Sequence, residues 1–79
     1  MRLVNGPLES ISLANGKPTE FCFRGQSYVI TAIHDHWREY PWWTGEREHD
    51  VWRVFVNGDV QLWEIEQVQG RWYVYTIYD

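Results

Sequence analysis

Cysteine and lysine are the scarcest reactive residues of this chain, which contains one of each. The lone Cys22 cannot form a disulfide within the chain, which is typical of a protein in a reducing compartment. A catalytic thiolate would need a neighbouring cation and base, and no spacing in the sequence demands them. Because Phe21 and Phe23 flank it in a strand pattern, Cys22 is expected to be a small packing residue on the face opposite those rings.

Long hydrophobic runs and positive charge are also lacking. No stretch approaches the roughly 20 apolar residues of a membrane span, and the N-terminus has no apolar signal-peptide core. We therefore expect a cytoplasmic protein without a membrane partner. The formal net charge is -4. Because nucleic-acid affinity comes mostly from Lys and Arg that neutralise phosphates, this balance disfavours nucleic acid as a partner.

Motifs that mark an enzyme are missing too. The chain has no Gly-rich phosphate loop and no Gly-x-Ser-x-Gly elbow, so nucleotide hydrolysis and acyl transfer have no support. Its carboxylates are numerous, but so short a chain hardly builds the cleft that glycoside hydrolysis needs. His34, His36 and His49 could begin a zinc site, yet zinc requires three or four converging ligands. We expect no enzymatic activity, no metal and no cofactor.

Aromatic residues are what the sequence has in abundance, with six Trp, five Tyr and three Phe. They occupy both alternating faces of the strand pattern that follows Asp50, where Trp52 faces one way and Phe55 the other. A sheet with one solvent-exposed face should alternate apolar and polar residues along each strand, and the residues after Asp50 follow this alternation poorly. Some rings build a small core. The others are expected to meet a second layer, a partner or a ligand.

Turn signals divide the chain into short strands. Asn5-Gly6-Pro7 and Asn15-Gly16-Lys17-Pro18 bracket the first strand, and Asn57-Gly58 suits a type I′ hairpin turn. The predicted strands cover residues 8–13, 21–24, 26–37, 51–56, 60–66 and 71–78. The prediction is all-β: one domain over residues 1–79, built as a strongly curved antiparallel meander or an SH3-like or OB-like barrel of five to six strands. An open sheet that dimerises along an edge is the alternative.

The segment from Trp37 to Asp50 is predicted to be a loop with a crowded aromatic tip, because Pro41 and Gly45 break regular structure. Long loops in compact domains usually serve recognition. Either its rings plug the open end of the barrel, or Trp42 or Trp43 is an interface anchor. Since Trp, Tyr and Arg are the usual hot-spot residues of interfaces, the candidate binding residues are Trp37, Arg38, Tyr40, Trp42, Trp43, Arg47, Trp52 and Arg53.

Two functions fit these residues. A protein-docking module is preferred on charge grounds, with a homodimer as one form of it. The alternative is a single-stranded nucleic-acid-binding accessory domain that stacks bases on Trp and Tyr rings beside Arg. Salt dependence separates the two functions, because only nucleic-acid binding releases condensed ions.

The order of these residues resembles an uncharacterised bacterial family. The positions that carry the resemblance are Pro18, Phe21, Phe23-Arg24-Gly25, Tyr28-Val29, Ile33, Trp37-Arg38, Trp42-Trp43, Asp50, Trp52-Arg53-Val54, Gly58, Leu62-Trp63, Gly70-Arg71-Trp72 and Tyr78-Asp79. Members occur as short stand-alone chains, notably in Deinococcus and Thermus relatives, and as the C-terminal tail of ImuB-like proteins. Those proteins are catalytically degenerate relatives of Y-family DNA polymerases in a mutagenic translesion complex. The resemblance implies a docking module for repair proteins or a DNA-contacting accessory, and no catalytic residues.

Overall fold

The computed structural model describes residues 2–40, 48–58 and 61–78, and all the regular structure in these ranges is β-strand. The strands are β1 (Arg2–Pro7), β2 (Ser10–Ala14), β3 (Lys17–Phe23), β4 (Gln26–Glu39), β5 (His49–Val56), β6 (Gln61–Val68) and β7 (Arg71–Tyr78). The all-β prediction is confirmed, with seven strands in place of five to six. In the part of the chain so described, no helix is long and apolar enough to span a membrane.

The strands form one antiparallel sheet in the order β1-β7-β6-β5-β4-β3-β2. From β2 to β7 each strand pairs with its sequence neighbour, as short connections dictate. The predicted pairing of β5 with β6 after Asn57-Gly58 is confirmed, and both turn residues have positive φ, at 52° and 80°. β6 begins at Gln61, and Val60, predicted to start it, lies outside the described residues.

The curvature of the sheet depends on β4. Its 14 residues divide between two partners, because residues 26–29 pair with β3 and residues 30–39 pair with β5. The register shifts between Ile30 and Ala32 and again between Ile33 and Asp35. Such β-bulges bend a strand and increase its twist. The sheet therefore curls into a half-barrel, the strongly curved form that the strand pattern predicts.

β1 is the strand that the sequence prediction omits. Asn5-Gly6-Pro7 was expected to be a turn, yet these residues lie in β1, which pairs with β7. The prediction is wrong because a β-bulge between Leu3 and Gly6 accommodates Asn5 at a φ of 55° without reversing the chain. A left-handed residue is compatible with a bulge as well as with a turn.

The link between β1 and β2 contacts both halves of the curled sheet. The backbone N–H of Leu8 donates to the carbonyl oxygen of Trp72 in β7 at 3.0 Å. The next N–H, of Glu9, donates to the carbonyl oxygen of Cys22 in β3 at 2.9 Å. These two hydrogen bonds bring the end of the sheet formed by β1 and β7 close to the end formed by β2 and β3, so the half-barrel is nearly closed at this point.

The core lies inside the curl and consists of Phe21, Phe23, Trp52, Val54, Val56, Trp63, Ile65, Val74 and Ile77. The Trp63 ring centroid lies 4.6 Å from that of Tyr28, 5.5 Å from that of Phe21 and 6.0 Å from that of Phe23. Because Trp63 comes from β6 and the other rings come from β3 and β4, this aromatic cluster joins the two halves of the curved sheet. Such ring pairs stabilise a fold beyond the area they bury.

Gly6 marks the closest approach of β1 to this core. A Cβ atom at residue 6 would lie 2.8 Å from Cε1 and 2.9 Å from Cζ of Phe23. We expect Gly6→Ala to lower the free energy of unfolding by about 1–3 kcal/mol in urea denaturation, because the buried ring must shift.

Gly70→Asn is the control for this variant. A Cβ at residue 70 has nothing within 4 Å, and Asn tolerates a left-handed backbone such as the φ of 79° there. Its unfolding free energy should fall by less than that of Gly6→Ala, because only the left-handed backbone, and no contact with a buried ring, opposes the new side chain. Equal losses in both variants would contradict the role of the contact with Phe23.

Candidate functional site

The segment predicted as a loop is mostly a longer hairpin. β4 continues to Glu39 and β5 begins at His49. The loop prediction is wrong at both ends of the segment because cross-strand pairing continues there, with Trp37 opposite Val51. The remaining centre of the segment, residues 41–47, lies outside the described residues.

Five of the eight candidate binding residues lie in the described ranges, and they do not form one surface. Trp42, Trp43 and Arg47 lie outside these ranges, so their role as binding residues stays a prediction. Tyr40 follows β4 and is 61 % exposed. The other four divide between the two faces of the β4–β5 hairpin: Trp37, Arg38, Trp52 and Arg53.

Arg53 is held between a carboxylate and two aromatic rings, an arrangement we call the arginine cage (Trp37, Arg53, Glu64 and Tyr78). Its Nη2 and Nε atoms donate to Glu64 Oε2 at 2.7 and 3.0 Å. Its guanidinium carbon lies 5.0 Å from the Trp37 ring centroid and 5.7 Å from that of Tyr78. The Tyr78 hydroxyl donates to the same Glu64 oxygen at 3.1 Å. The hydrogen bond to Glu64 raises the pKa of Arg53, so the cation is retained and already paired.

Further acidic groups lie beside the arginine cage. Glu66 is buried, and its Oε2 atom lies 3.2 Å from His49 Nδ1. Burial raises the pKa of the Tyr75 hydroxyl, and the nearby carboxylates of Glu39, Glu66 and Glu64 raise it further. The Tyr75 hydroxyl therefore remains protonated at neutral pH. Together these groups make this face of the sheet polar, partly buried and rich in internal pairs.

The opposite face of the hairpin carries a second group of contacts. Trp52 is only 8 % exposed and belongs to the core, and the His36 ring stacks on it with centroids 3.6 Å apart. Asp50 Oδ1 lies 3.2 Å from both His36 Nε2 and Arg38 Nε. Arg38 Nε also lies 2.7 Å from Glu48 Oε1. The hydrogen bond to Asp50 raises the pKa of Arg38, whose charge two carboxylates share.

The three histidines do not converge on one point. The His34 ring lies edge-on to Phe55 at 5.8 Å, His36 contacts Asp50, and His49 contacts Glu66. Among residues 2–40, 48–58 and 61–78, no group of three or more His, Cys, Asp or Glu side chains is arranged to hold a metal ion.

Cys22 lies on the face opposite the buried Phe21 and Phe23, as the strand alternation predicts. Its Sγ atom is 3.3 Å from Ser27 Oγ, and it lines a small cavity of about 90 Å³ together with Ser10. Hydrogen bonds from Ser10, and then from Ser27, lower the pKa of the Cys22 thiol. The two hydroxyls therefore favour the thiolate.

The lowered pKa of Cys22 can be checked by alkylation with iodoacetamide as a function of pH. We expect Ser10→Ala to move the midpoint of the pH–rate profile upwards, because the thiolate loses a hydrogen bond. Ser12→Ala, which changes another residue of the same cavity, should leave the midpoint in place. An unchanged midpoint in Ser10→Ala would contradict this assignment.

The two candidate arginines that lie in the described ranges offer a matched comparison of stability. Arg53→Met leaves Glu64, which is 4 % exposed, without its cation, and should lower the unfolding free energy by about 2–3 kcal/mol. Arg38→Met removes an exposed pair and should change the unfolding free energy little. Urea denaturation measures both. Arg53→Met with Glu64→Leu should recover part of the loss, and equal effects at the two arginines would contradict the burial argument.

The free edge of β4 is a third feature of this region. Past Val29, β3 and β4 diverge, and no described strand pairs with residues 32–39 on the side away from β5. In an antiparallel strand alternate residues direct their N–H and C=O groups to that side. Most of these residues are exposed, including Ile33 at 37 %. Where the strands diverge, a groove of about 330 Å³ is lined by Ala14, Lys17, Pro18, Thr19, Ile30, Thr31, Ala32 and Ile33.

The curled sheet, the arginine cage and the free strand edge define a small all-β domain without an assigned chemistry. Residues 7–79 match a family described as a domain of unknown function, DUF6504. The chain belongs to this family. Its predicted resemblance to an uncharacterised family is therefore confirmed. No curated protein and no solved structure was found to match. The bacterial distribution and the relation to ImuB-like tails stay predictions from the sequence.

Proposed function

We propose that this domain is a non-catalytic docking module that binds an extended segment of a partner protein along the free edge of β4. The supporting observation is that, among the described strands, residues 32–39 of β4 have β5 as their one partner. A guest strand would hydrogen-bond to the outward N–H and C=O groups, as in other cases of β-strand addition. The groove beside Ile30 and Ile33 would accept an apolar side chain of the guest.

The other strand edges in the described part of the chain are poorer templates. β1 contains a bulge and ends at Pro7, which has no N–H to donate. β2 has only five residues, and its register shifts between Ser12 and Leu13. Bulges, proline, shortness and charged side chains are features by which proteins blunt exposed edges. The segment from Asp35 to Glu39 is also five residues long and carries charged side chains, but it contains no proline and no register shift.

Single-stranded nucleic acid is the weaker candidate partner. Such binding needs open ring faces and cations that are available for phosphates. The His36 ring covers one face of Trp52, and Arg53 lies over Trp37. Arg38 and Arg53 are both paired with carboxylates. These contacts favour a protein partner.

The setting of this function follows from the sequence resemblance. If the relation to ImuB-like tails holds, the partner belongs to a DNA-repair or translesion-polymerase complex in the cytoplasm. A second copy of the chain, paired through β4, is the competing occupant of the edge. The net charge of -4 on each chain opposes that self-association.

Docking at β4 can be tested by titrating the ¹⁵N-labelled domain with a capped nine-residue peptide of alternating Thr and Val. We expect saturable NMR shifts, and gained protection from hydrogen exchange, at alternate amides from Asp35 to Glu39, because only the outward amides lack strand partners. Replacing each Val of the peptide by Pro should abolish binding, since Pro cannot donate to the ladder.

Two protein variants and one measurement of size complete this test. Ile33→Lys should weaken binding of the Thr-Val peptide, because a charge then faces the groove, whereas Leu3→Lys on β1 should not. Both wild-type residues are exposed, so both variants should fold. Sedimentation measures whether the domain forms dimers as its concentration rises. If it does, and if the dimer protects the same β4 amides from exchange, the edge binds a second copy of the chain and the proposal is overturned.

A further inference from the structure

We infer that the segment bound along β4 is basic, with Lys or Arg at two positions flanking an apolar residue in the order basic-x-apolar-x-basic. These three side chains would lie opposite Asp35, Trp37 and Glu39. The inference rests on the proposed docking at β4 and adds the chemical class of the partner.

Asp35, Trp37 and Glu39 share one face of β4. No register shift interrupts the pairing from Asp35 to Glu39, so alternate side chains point the same way. The hydrogen bond from Trp37 Nε1 to Glu39 Oε1, at 2.8 Å, agrees with this placement. Both carboxylates are exposed, and they lie on either side of a half-buried indole.

A guest strand would bring its side chains close to these three residues. Residues directly opposite each other on neighbouring antiparallel strands have Cβ atoms about 4.5–5.5 Å apart. A basic side chain opposite Asp35 or Glu39 would pair with a carboxylate, and like charges there would repel. An apolar side chain opposite Trp37 would pack against the ring. Asp35 Oδ1 accepts the backbone N–H of His36 at 2.8 Å. A guest strand that pairs with this N–H would displace the carboxylate and leave it to a basic side chain.

Apart from Lys17, which lines the groove beside Ile30 and Ile33, the surrounding charge acts in the same direction. Arg38 is the one arginine among residues 32–39, and it is paired with Asp50 and Glu48. Arg53, on the neighbouring strand, is paired with Glu64. The formal net charge of the chain is -4. An acidic surface attracts a basic segment and suppresses acidic ones, which affects the association rate most.

Two fluorescein-labelled peptides test this inference by fluorescence anisotropy at low salt. Both have nine residues on a Thr background with a central Val; one places Lys two residues before and after the Val, and the other places Glu there. We expect the Lys peptide to bind about tenfold more tightly than the Glu peptide, and this ratio to shrink as salt is added.

Variants then assign the preference to the two carboxylates. Asp35→Asn with Glu39→Gln should weaken binding of the Lys peptide about fivefold, while keeping the hydrogen-bonding shape of both side chains. Glu20→Gln, which alters an exposed carboxylate of β3 opposite Val29 and not opposite residues 35–39, should leave the affinity unchanged. Asp35→Lys with Glu39→Lys should invert the preference towards the Glu peptide.

The outcomes separate this inference from the proposed function. Equal affinity for both peptides, lost in Ile33→Lys, would retain docking at β4 and overturn the basic preference. A tighter Lys peptide that is unaffected by Asp35→Asn with Glu39→Gln would also overturn it, because the selectivity would then arise elsewhere. If neither peptide binds saturably, docking by strand addition itself is wrong.

Discussion

The contact between Trp63 and the rings of β3 and β4 holds the sheet in its curl, and the other features of the domain depend on it. Tyr28, Phe21 and Phe23 meet Trp63 because β4 bends at its two bulges and carries β3 over the core. The same bend takes β3 away from the second half of β4. A free strand edge is thus the geometric consequence of closing the core in so small a chain.

The two faces of the β4–β5 hairpin use aromatic residues in different ways. On one face the rings of Trp37 and Tyr78 enclose Arg53, and on the other the His36 ring covers Trp52. In both places one face of an aromatic ring is covered by a partner within the chain. The abundance of aromatics therefore reflects internal structure at these positions. The backbone edge of β4 and its carboxylates are among the exposed groups of the described part of the hairpin, and they are the groups that the proposed strand addition uses.

Strand alternation and turn signals were sufficient to predict the fold class and six of the seven strands. They failed at β1, because the left-handed Asn5 occupies a bulge and not a turn. They also failed to predict that Arg53 lies opposite Glu64. A two-residue turn at Asn57-Gly58 would pair Arg53 with Leu62, but Val56 pairs with Gln61, so Arg53 lies opposite Glu64. The free edge of β4 leaves no trace in the sequence, because alternation shows which residues share a face and not which neighbour a strand has lost.

The pairing of β1 with β7 has a consequence for the order of folding. Every other pair in the sheet joins consecutive strands, and these hairpins can form locally within microseconds. Pairing Arg2 with Ile77 instead requires nearly the whole chain to close into one loop. The conformational entropy of that loop is lost when its two ends meet. The curled meander from β2 to β7 should therefore assemble first, with β1 added last. The N-terminal strand should accordingly be the first to detach when the domain is heated or pulled.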